Sequence, residues 1–164
     1  MKGECRFRVG WTTGLFLLYL TGCATLAAED NQPHDLAIID RWSGDFPVAK
    51  LDLLPEGQRQ SRAGYMGERK VFAAVWQAFM PGEKIPAVDF NHNLVVFSRN
   101  VDFYNRTTIM KVVLADGGLE VLAVETMSAM PIEDKAAMAL AVVPRAGVKF
   151  IREGDQQIPV AVTR

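Results

Sequence analysis

Apolar residues follow a helical period in one segment of the chain, between Glu68 and Met80. They recur at i, i+1, i+4, i+5 and i+8, which places them on one stripe of a helix with about 3.6 residues per turn. The stripe consists of Val71, Phe72, Val75, Trp76 and Phe79. Glu68 stands where an acid favours the helix dipole, and Pro81-Gly82 ends the pattern. The segment is predicted to form an amphipathic helix with this stripe in the core.

Strand patterns dominate after this helix. Residues 94–97 are a continuous apolar run of strand length, and residues 107–114 and 119–126 are rich in β-branched side chains. Asp116-Gly117 lies between the last two segments, and these residue types supply the positive φ angles of a tight turn. The pattern predicts an antiparallel hairpin over residues 107–126.

The last part of the chain predicts further strands. Residues 137–143 fit a helix or a strand, and the proline that follows favours the strand because it biases the preceding residue toward an extended backbone. Residues 148–151 and 158–162 flank a polar loop at residues 152–157, which predicts a terminal hairpin. Pro159 has no N–H to donate, so the last strand is expected at a sheet edge.

The segments ahead of the helix carry shorter signals. Residues 36–39 are an apolar run that predicts a strand, residues 48–54 alternate as in a strand, and residues 55–64 are polar and predict a loop. Together the elements predict one domain over residues 36–164. Its fold class is α+β, an antiparallel strand-rich domain with one main amphipathic helix packed on the sheet.

The first 22 residues have the organisation of an export signal. Lys2, Arg6 and Arg8 precede an apolar stretch at residues 11–20, which is too short to span a bilayer that needs about 20 apolar residues. The stretch ends in Leu20-Thr21-Gly22-Cys23. This sequence resembles the lipobox of bacterial lipoproteins, in which the cysteine is lipidated and the peptide is cut just before it.

The lipobox resemblance implies a lipoprotein signal peptide at residues 1–22 and a lipidated tether at residues 23–35, anchored through Cys23. Ala24 follows the cysteine where the resemblance would place an inner-membrane retention Asp, which favours the outer membrane in a host that has two. The alternative interpretation is an ordinary signal peptide or a short signal anchor, with a cleavage site within residues 24–27.

Composition and charge narrow the function classes. The chain has 18 Lys+Arg against 19 Asp+Glu, and this net charge of −1 argues against a general binder of nucleic acid or anionic membranes. Two His residues argue against a multi-ligand metal site. No Gly-x-Ser-x-Gly, phosphate-binding or metal motif is present, so no catalytic residue and no cofactor is predicted. A hydrolase that uses Asp89 and His92 is a remote alternative, because the favoured explanation of the pair is an exposed turn histidine beside an aspartate that bonds its own backbone.

Two segments contain candidate interaction residues. Phe103, Tyr104 and Arg106 lie in a linker between strands, and aromatic residues and arginine are frequent anchors of binding hot spots. Met127 and Met130 lie in a flexible segment after a strand, and methionine adapts to binding surfaces. The structural alternative, which we favour at this point, is that both segments fold back on the core.

From Glu68 onward the order of elements resembles the C-terminal domain family of the PrcB protease-complex subunit, over about residues 68–160. The resemblance is carried by residues 71–76, residues 85–90 with the pattern Pro-x-Val-Asp-Phe, the strand at 94–97, the hairpin at 107–126, Met130-Pro131, Val143-Pro144 and the strand at 148–151. The chain departs from the family at Tyr104-Asn105-Arg106, where a Gly-rich turn with a Tyr is typical, and at Arg145, where an aromatic residue is typical.

The PrcB resemblance implies a non-catalytic partner that associates with, or stabilises, a secreted protease, and it supplies no catalytic residues. The sequence therefore predicts a lipid-anchored extracytoplasmic interaction module that contacts a secreted protease or another envelope protein. The alternative is a carrier or sensor for a small apolar or lipid-like ligand held between sheet and helix.

Overall fold

A computed structural model describes residues 32–161, and these residues form two β-sheets, a short two-stranded ribbon and one α-helix. The helix α1 spans Arg69–Phe79, and a 3₁₀ segment spans Val48–Leu53. The strands are β1 (His34–Asp35), β2 (Asp40–Pro47), β3 (Ala63–Met66), β4 (Asn93–Arg99), β5 (Phe103–Tyr104), β6 (Thr107–Ala115), β7 (Gly118–Glu125), β8 (Met130–Pro131), β9 (Lys135–Pro144), β10 (Phe150–Glu153) and β11 (Gln156–Pro159).

The strands divide into three groups. The outer sheet has the order β1-β6-β7-β10-β11, the inner sheet has the order β2-β9-β4-β3, and β5 and β8 form the ribbon. The predicted strand-rich, antiparallel fold is confirmed, apart from one parallel pair between β7 and β10. Parallel neighbours need a long crossover, and here the chain passes through β8 and β9 between them.

Strands β4 and β9, at the centre of the inner sheet, are buried on both faces. Along β9, alternate side chains enter two different hydrophobic clusters, and this explains its nearly continuous apolar sequence. One set of side chains shares a cluster with residues of α1, and the other set shares a cluster with residues of the outer sheet. The first set is Met138, Leu140 and Val142; the second is Ala139, Ala141 and Val143. The strand predicted at residues 137–143 is confirmed within β9.

The helix predicted between Glu68 and Met80 is confirmed, with Glu68 as its N-cap and Met80 as its C-cap. Four of the five stripe residues are buried, namely Phe72, Val75, Trp76 and Phe79. They lie in one cluster with side chains of β2, β4 and β9. Trp42 of β2 meets Trp76 edge-on, with 5.0 Å between ring centroids.

The hairpin predicted over residues 107–126 is confirmed as β6 and β7. Asp116 and Gly117 have φ angles of 54° and 78°, as a two-residue turn of positive φ requires. The terminal hairpin is also confirmed, but its turn is shorter than the predicted loop at residues 152–157. Gly154, at a φ of 55°, allows a tight turn, so β10 and β11 extend to Glu153 and from Gln156. Pro159 lies on the edge strand β11, as predicted.

Two strand predictions ahead of the helix are wrong. Residues 36–39 are not a strand: the Leu36 N–H donates to the Val112 carbonyl of the outer sheet, and the Ile39 N–H donates to the Val142 carbonyl of the inner sheet. This segment therefore crosses from one sheet to the other. Residues 48–53 instead form a 3₁₀ segment, which ends where the Leu54 N–H donates to the Leu51 carbonyl at 3.1 Å, the i+3 bond typical of that helix.

The loop predicted at residues 55–64 ends earlier than expected, because its last residues belong to the buried strand β3. Gln58 is buried in this loop, and its Oε1 accepts the Tyr65 N–H at 2.7 Å. The buried side chain of Gln58 thus provides a hydrogen-bond acceptor for the backbone of β3. The last two residues of the tether predicted at residues 23–35 form strand β1. In this strand His34 pairs with Leu114 and Asp35 pairs with Val113.

Candidate interaction site

The ribbon brings together the two segments that contain the candidate interaction residues. Phe103 pairs with Pro131 and Tyr104 pairs with Met130 in antiparallel register. Phe103, Met130 and Met127 are 49%, 55% and 98% exposed, and Arg106 is also exposed. Our preference for side chains that fold back on the core is therefore wrong for these residues. Large apolar side chains gathered at a surface are typical of protein contact sites.

Tyr104 connects the ribbon to the inner sheet. Its hydroxyl donates to Asp45 Oδ1 of β2 at 2.7 Å, and Lys135 Nζ of β9 lies 3.9 Å from Asp45 Oδ2. The hydrogen bond to the Asp45 carboxylate is the main cause that raises the pKa of Tyr104 above 10.0, because it favours the protonated phenol. Tyr104 therefore acts as a neutral donor that holds the ribbon against β2.

Two grooves adjoin Tyr104. One, of about 410 Å³, is lined by Tyr104, Met130, Pro131, Glu133, Asp134 and Lys135. The other, of about 590 Å³, lies between β2 and the chain that enters β6, and we call it the seam groove. It is lined by Ser43, Gly44, Asp45, Tyr104, Asn105, Arg106, Thr107 and Ala137. The exposed apolar residues of the ribbon, Phe103 and Met130, thus lie beside two grooves that contain polar and charged groups.

Asn100 positions the start of the ribbon, and sequence reasoning did not identify it. This buried residue follows β4, and its Oδ1 accepts the N–H groups of Asp102 and Phe103 at 3.0 and 2.9 Å. Its Nδ2 donates to Glu125 Oε2 at 2.8 Å. A buried amide with both ends bonded fixes the backbone direction into β5. The available signal was a polar residue directly after a strongly apolar strand.

Arg99 is a second buried polar residue near this position that the sequence analysis missed. Its Nη2 donates to the carbonyl of Arg59 at 2.9 Å and lies 3.4 Å from that of Ser61. Burial lowers the pKa of Arg99, and the charge of Glu153 opposes that shift. Arginine stays protonated in proteins, so this residue ties the loop before β3 to β4 as a fixed cation.

The Asp89–His92 pair exists, but it is exposed. His92 Nδ1 lies 2.7 Å from Asp89 Oδ2, and the Asn91 N–H donates to Asp89 Oδ1 at 3.0 Å. The hydrogen bond with His92, followed by that with Asn91, lowers the pKa of Asp89. Within residues 32–161, no serine or threonine hydroxyl forms a hydrogen bond with His92. The geometry is that of an Asp-led turn at the surface.

The remaining predictions concern the export signal, a metal site and a membrane span. The signal segment and Cys23 lie outside residues 32–161. In the described part of the chain, no group of three or more His, Cys, Asp or Glu side chains is placed to hold a metal ion. The same residues contain no helix of the length and hydropathy needed to cross a membrane.

Comparison with known proteins returned no match to a family model, a curated protein or a solved structure.

Proposed function

We propose that this protein is a lipid-anchored, extracytoplasmic interaction module without catalytic activity, and that the ribbon contacts a secreted protease or another envelope protein. The observation that carries the proposal is the exposure of Phe103 and Met130 on the two strands of the ribbon and of Met127 in the segment before β8. Aromatic residues, methionine and arginine are enriched in protein interfaces. Arg106 and the grooves beside Tyr104 supply the polar surroundings that such an interface needs.

The scaffold supports a rigid presentation of this surface. We infer that α1 is the main helical layer and packs on the inner sheet, which leaves the ribbon at the margin of a filled core. Phe46, Phe72, Trp76 and Phe97 are in the cluster shared by helix and sheet, and all are buried. Large side chains at this position favour an interaction module over a carrier that holds an apolar ligand between helix and sheet.

The anchoring part of the proposal comes from the sequence. Leu20-Thr21-Gly22-Cys23 supports acylation at Cys23, and each buried CH₂ of the acyl chains stabilises membrane attachment by about 0.8 kcal/mol. Ala24 favours the outer membrane where the host has two. The protease as partner class comes from the resemblance of residues 68–160 to the PrcB C-terminal domain family.

The ribbon is tested by site-specific cross-linking in membranes that contain the anchored protein. A photoreactive residue at Met127 is expected to cross-link to an envelope protein. The double substitution Phe103→Ser and Met130→Ser should reduce this product at least tenfold. The matched control is Met110→Ser with Val124→Ser, which changes two exposed apolar residues (55% and 60%) on the outer sheet instead. The control should retain the product.

Equal cross-linking in both double variants would contradict the ribbon as the contact surface. The anchor is tested separately by mass spectrometry of the mature N-terminus, where an acylated Cys23 is expected. A Cys23→Ser protein should lack the acyl modification. An unmodified thiol at Cys23 in an exported protein would contradict the anchoring, whatever the ribbon does.

A further inference from the structure

The two edges of the inner sheet differ in how they are covered. At the β3 edge, Tyr65 Oη donates to the Pro159 carbonyl and accepts the Ala161 N–H, both at 3.0 Å, and the Arg62 N–H donates to Glu153. The chain around β11 therefore protects this edge. The eight-residue strand β2 forms the other edge. An edge strand of that length with free peptide groups is a template for another strand.

The register shows which peptide groups of β2 are free. The Val48 N–H donates to the Asp134 carbonyl at 2.9 Å, and this bond continues the β2–β9 register. Because peptide groups alternate in direction along a strand, even-numbered residues of β2 bond to β9 and odd-numbered residues point outward. Ser43 and Asp45 are such outward residues. Pro47 is the next in this series, and without an N–H it ends the row of donors.

The outward edge of β2 faces β6 without backbone pairing. Side chains bridge the two strands at one end, where Arg41 Nη1 donates to the Ile109 carbonyl at 3.3 Å and Ser43 Oγ lies 3.4 Å from Thr108 Oγ1. Beyond these bridges lies the seam groove, bounded by Ser43 and Asp45 on one side. Its volume of about 590 Å³ is within the usual range of binding clefts.

The opposite wall of the seam groove also has unused hydrogen-bonding capacity. Asn105 and Thr107 line it, both are more than nine-tenths buried, and Asn105 Oδ1 and Thr107 Oγ1 have no hydrogen-bond partner. Leaving a buried polar atom without a hydrogen-bond partner destabilises the folded state. An extended peptide in the groove brings backbone partners to the outward peptide groups of Ser43 and Asp45.

We propose that the seam groove binds an extended peptide segment of the partner, which adds to the free edge of β2 through the peptide groups of Ser43 and Asp45. The inference rests on the interaction role proposed above and names its mode of recognition. Apolar side chains of the segment contact the ribbon. A basic side chain suits the excess of carboxylates at the two grooves, where Asp45, Glu133 and Asp134 outnumber Arg106 and Lys135. Backbone pairing supplies affinity and the side chains supply selectivity.

The test uses the ¹⁵N-labelled full chain in mild detergent and the acetylated, amidated hexapeptide Val-Thr-Lys-Val-Thr-Val. Binding should shift the amide signals of Ser43 and Asp45 and slow their hydrogen exchange at least tenfold. The same peptide N-methylated at alternate residues should bind at least tenfold more weakly, because it lacks the donors for strand pairing. Equal binding of both peptides, or no binding at millimolar concentration, would overturn the proposal.

Two variants separate an edge effect from a folding defect. Ser43→Pro removes an amide that does not bond to β9, so the protein should keep its fold and lose peptide affinity at least tenfold. Ser43→Ala retains the amide and should bind as the parent does. If Ser43→Pro instead abolishes self-association of the chain, a second copy occupies the edge and the proposal is wrong. The two proposals can fail separately. If the Phe103→Ser and Met130→Ser protein loses its cross-links but still binds the hexapeptide at β2, the ribbon contacts the partner independently of the β2 edge.

Discussion

Strand β9 and the ribbon contain similar apolar side chains but have opposite environments. From Ala136 to Val143, every residue of β9 is buried, because alternate side chains enter two hydrophobic clusters, one that contains residues of α1 and one that contains residues of the outer sheet. In the ribbon, Phe103 and Met130 are about half exposed. The difference shows that apolar character decides burial only where layers exist on both sides of a strand.

The contrast extends to polar residues. Around β9 and β4 the buried Asn100 and Arg99 have defined backbone partners and connect neighbouring loops. Around the ribbon, Tyr104, Asp45 and Lys135 interact at the surface, where water competes for the same bonds. The inner sheet is therefore expected to determine stability, and the ribbon is expected to determine recognition.

The largest expected difference is in the free energy of unfolding when Phe97 or Phe103 is replaced by alanine. Phe97 of β4 is fully buried, and Phe97→Ala should lower the free energy of unfolding by about 3–5 kcal/mol. Phe103→Ala in the ribbon should change it by no more than about 0.5 kcal/mol, as for most surface substitutions. Denaturant titration of both variants measures the difference. A loss above about 2 kcal/mol for Phe103→Ala would mean that the ribbon belongs to the core.

A second pair of variants tests packing between the two sheets. Ala139 is buried between them, so Ala139→Leu should overpack this layer and destabilise the protein by about 1–3 kcal/mol. The matched change Ala129→Leu, in the exposed segment before β8, should leave stability nearly unchanged. Thermal unfolding of the two proteins provides the comparison. Equal tolerance at both positions would show that the interface between the sheets is loosely packed.

The smallest expected effect is a change in the titration of Tyr104. The hydrogen bond to Asp45 raises the pKa of this phenol, so its phenolate should form at a higher pH than that of a tyrosine without such a bond. The associated stabilisation is complete below the unfolded-state pKa and is lost as pH rises through the folded-state pKa. Phenolate absorbance, with a Tyr104→Phe protein subtracted, reports the transition. Asp45→Asn should move it toward lower pH, and an unchanged transition would mean that this hydrogen bond is not maintained in solution.

Local patterns were sufficient for the elements whose signals are complete within a short segment. The stripe from Val71 to Phe79 marks a helix, and Asp116-Gly117 marks a hairpin, because spacing and turn residues act within a few positions. Strand β3 gave no such signal. Its burial depends on Gln58, which bonds to Tyr65, and on Gly64, where a Cβ would lie 2.5 Å from the Phe97 ring.

The candidate site was predictable only as separate residues. Phe103, Tyr104, Arg106, Met127 and Met130 were recognised by residue type. The pairing of β5 with β8, however, joins Phe103 to Pro131 and Tyr104 to Met130, which are far apart along the chain. The seam groove similarly requires β2 and β6 to lie side by side. Neither arrangement is encoded within a single stretch of sequence.

The sequence by itself determined the export and lipidation prediction at residues 1–23, the position of the helix, the β6–β7 hairpin and the residue types available for binding. Only the tertiary structure decided which apolar segments are buried, which edge of the inner sheet stays free and how Tyr104 meets Asp45. The physical reason is the distance along the chain over which the different interactions act. Helical period and turn chemistry act between near neighbours, whereas burial and strand pairing depend on layers assembled from distant parts of the chain.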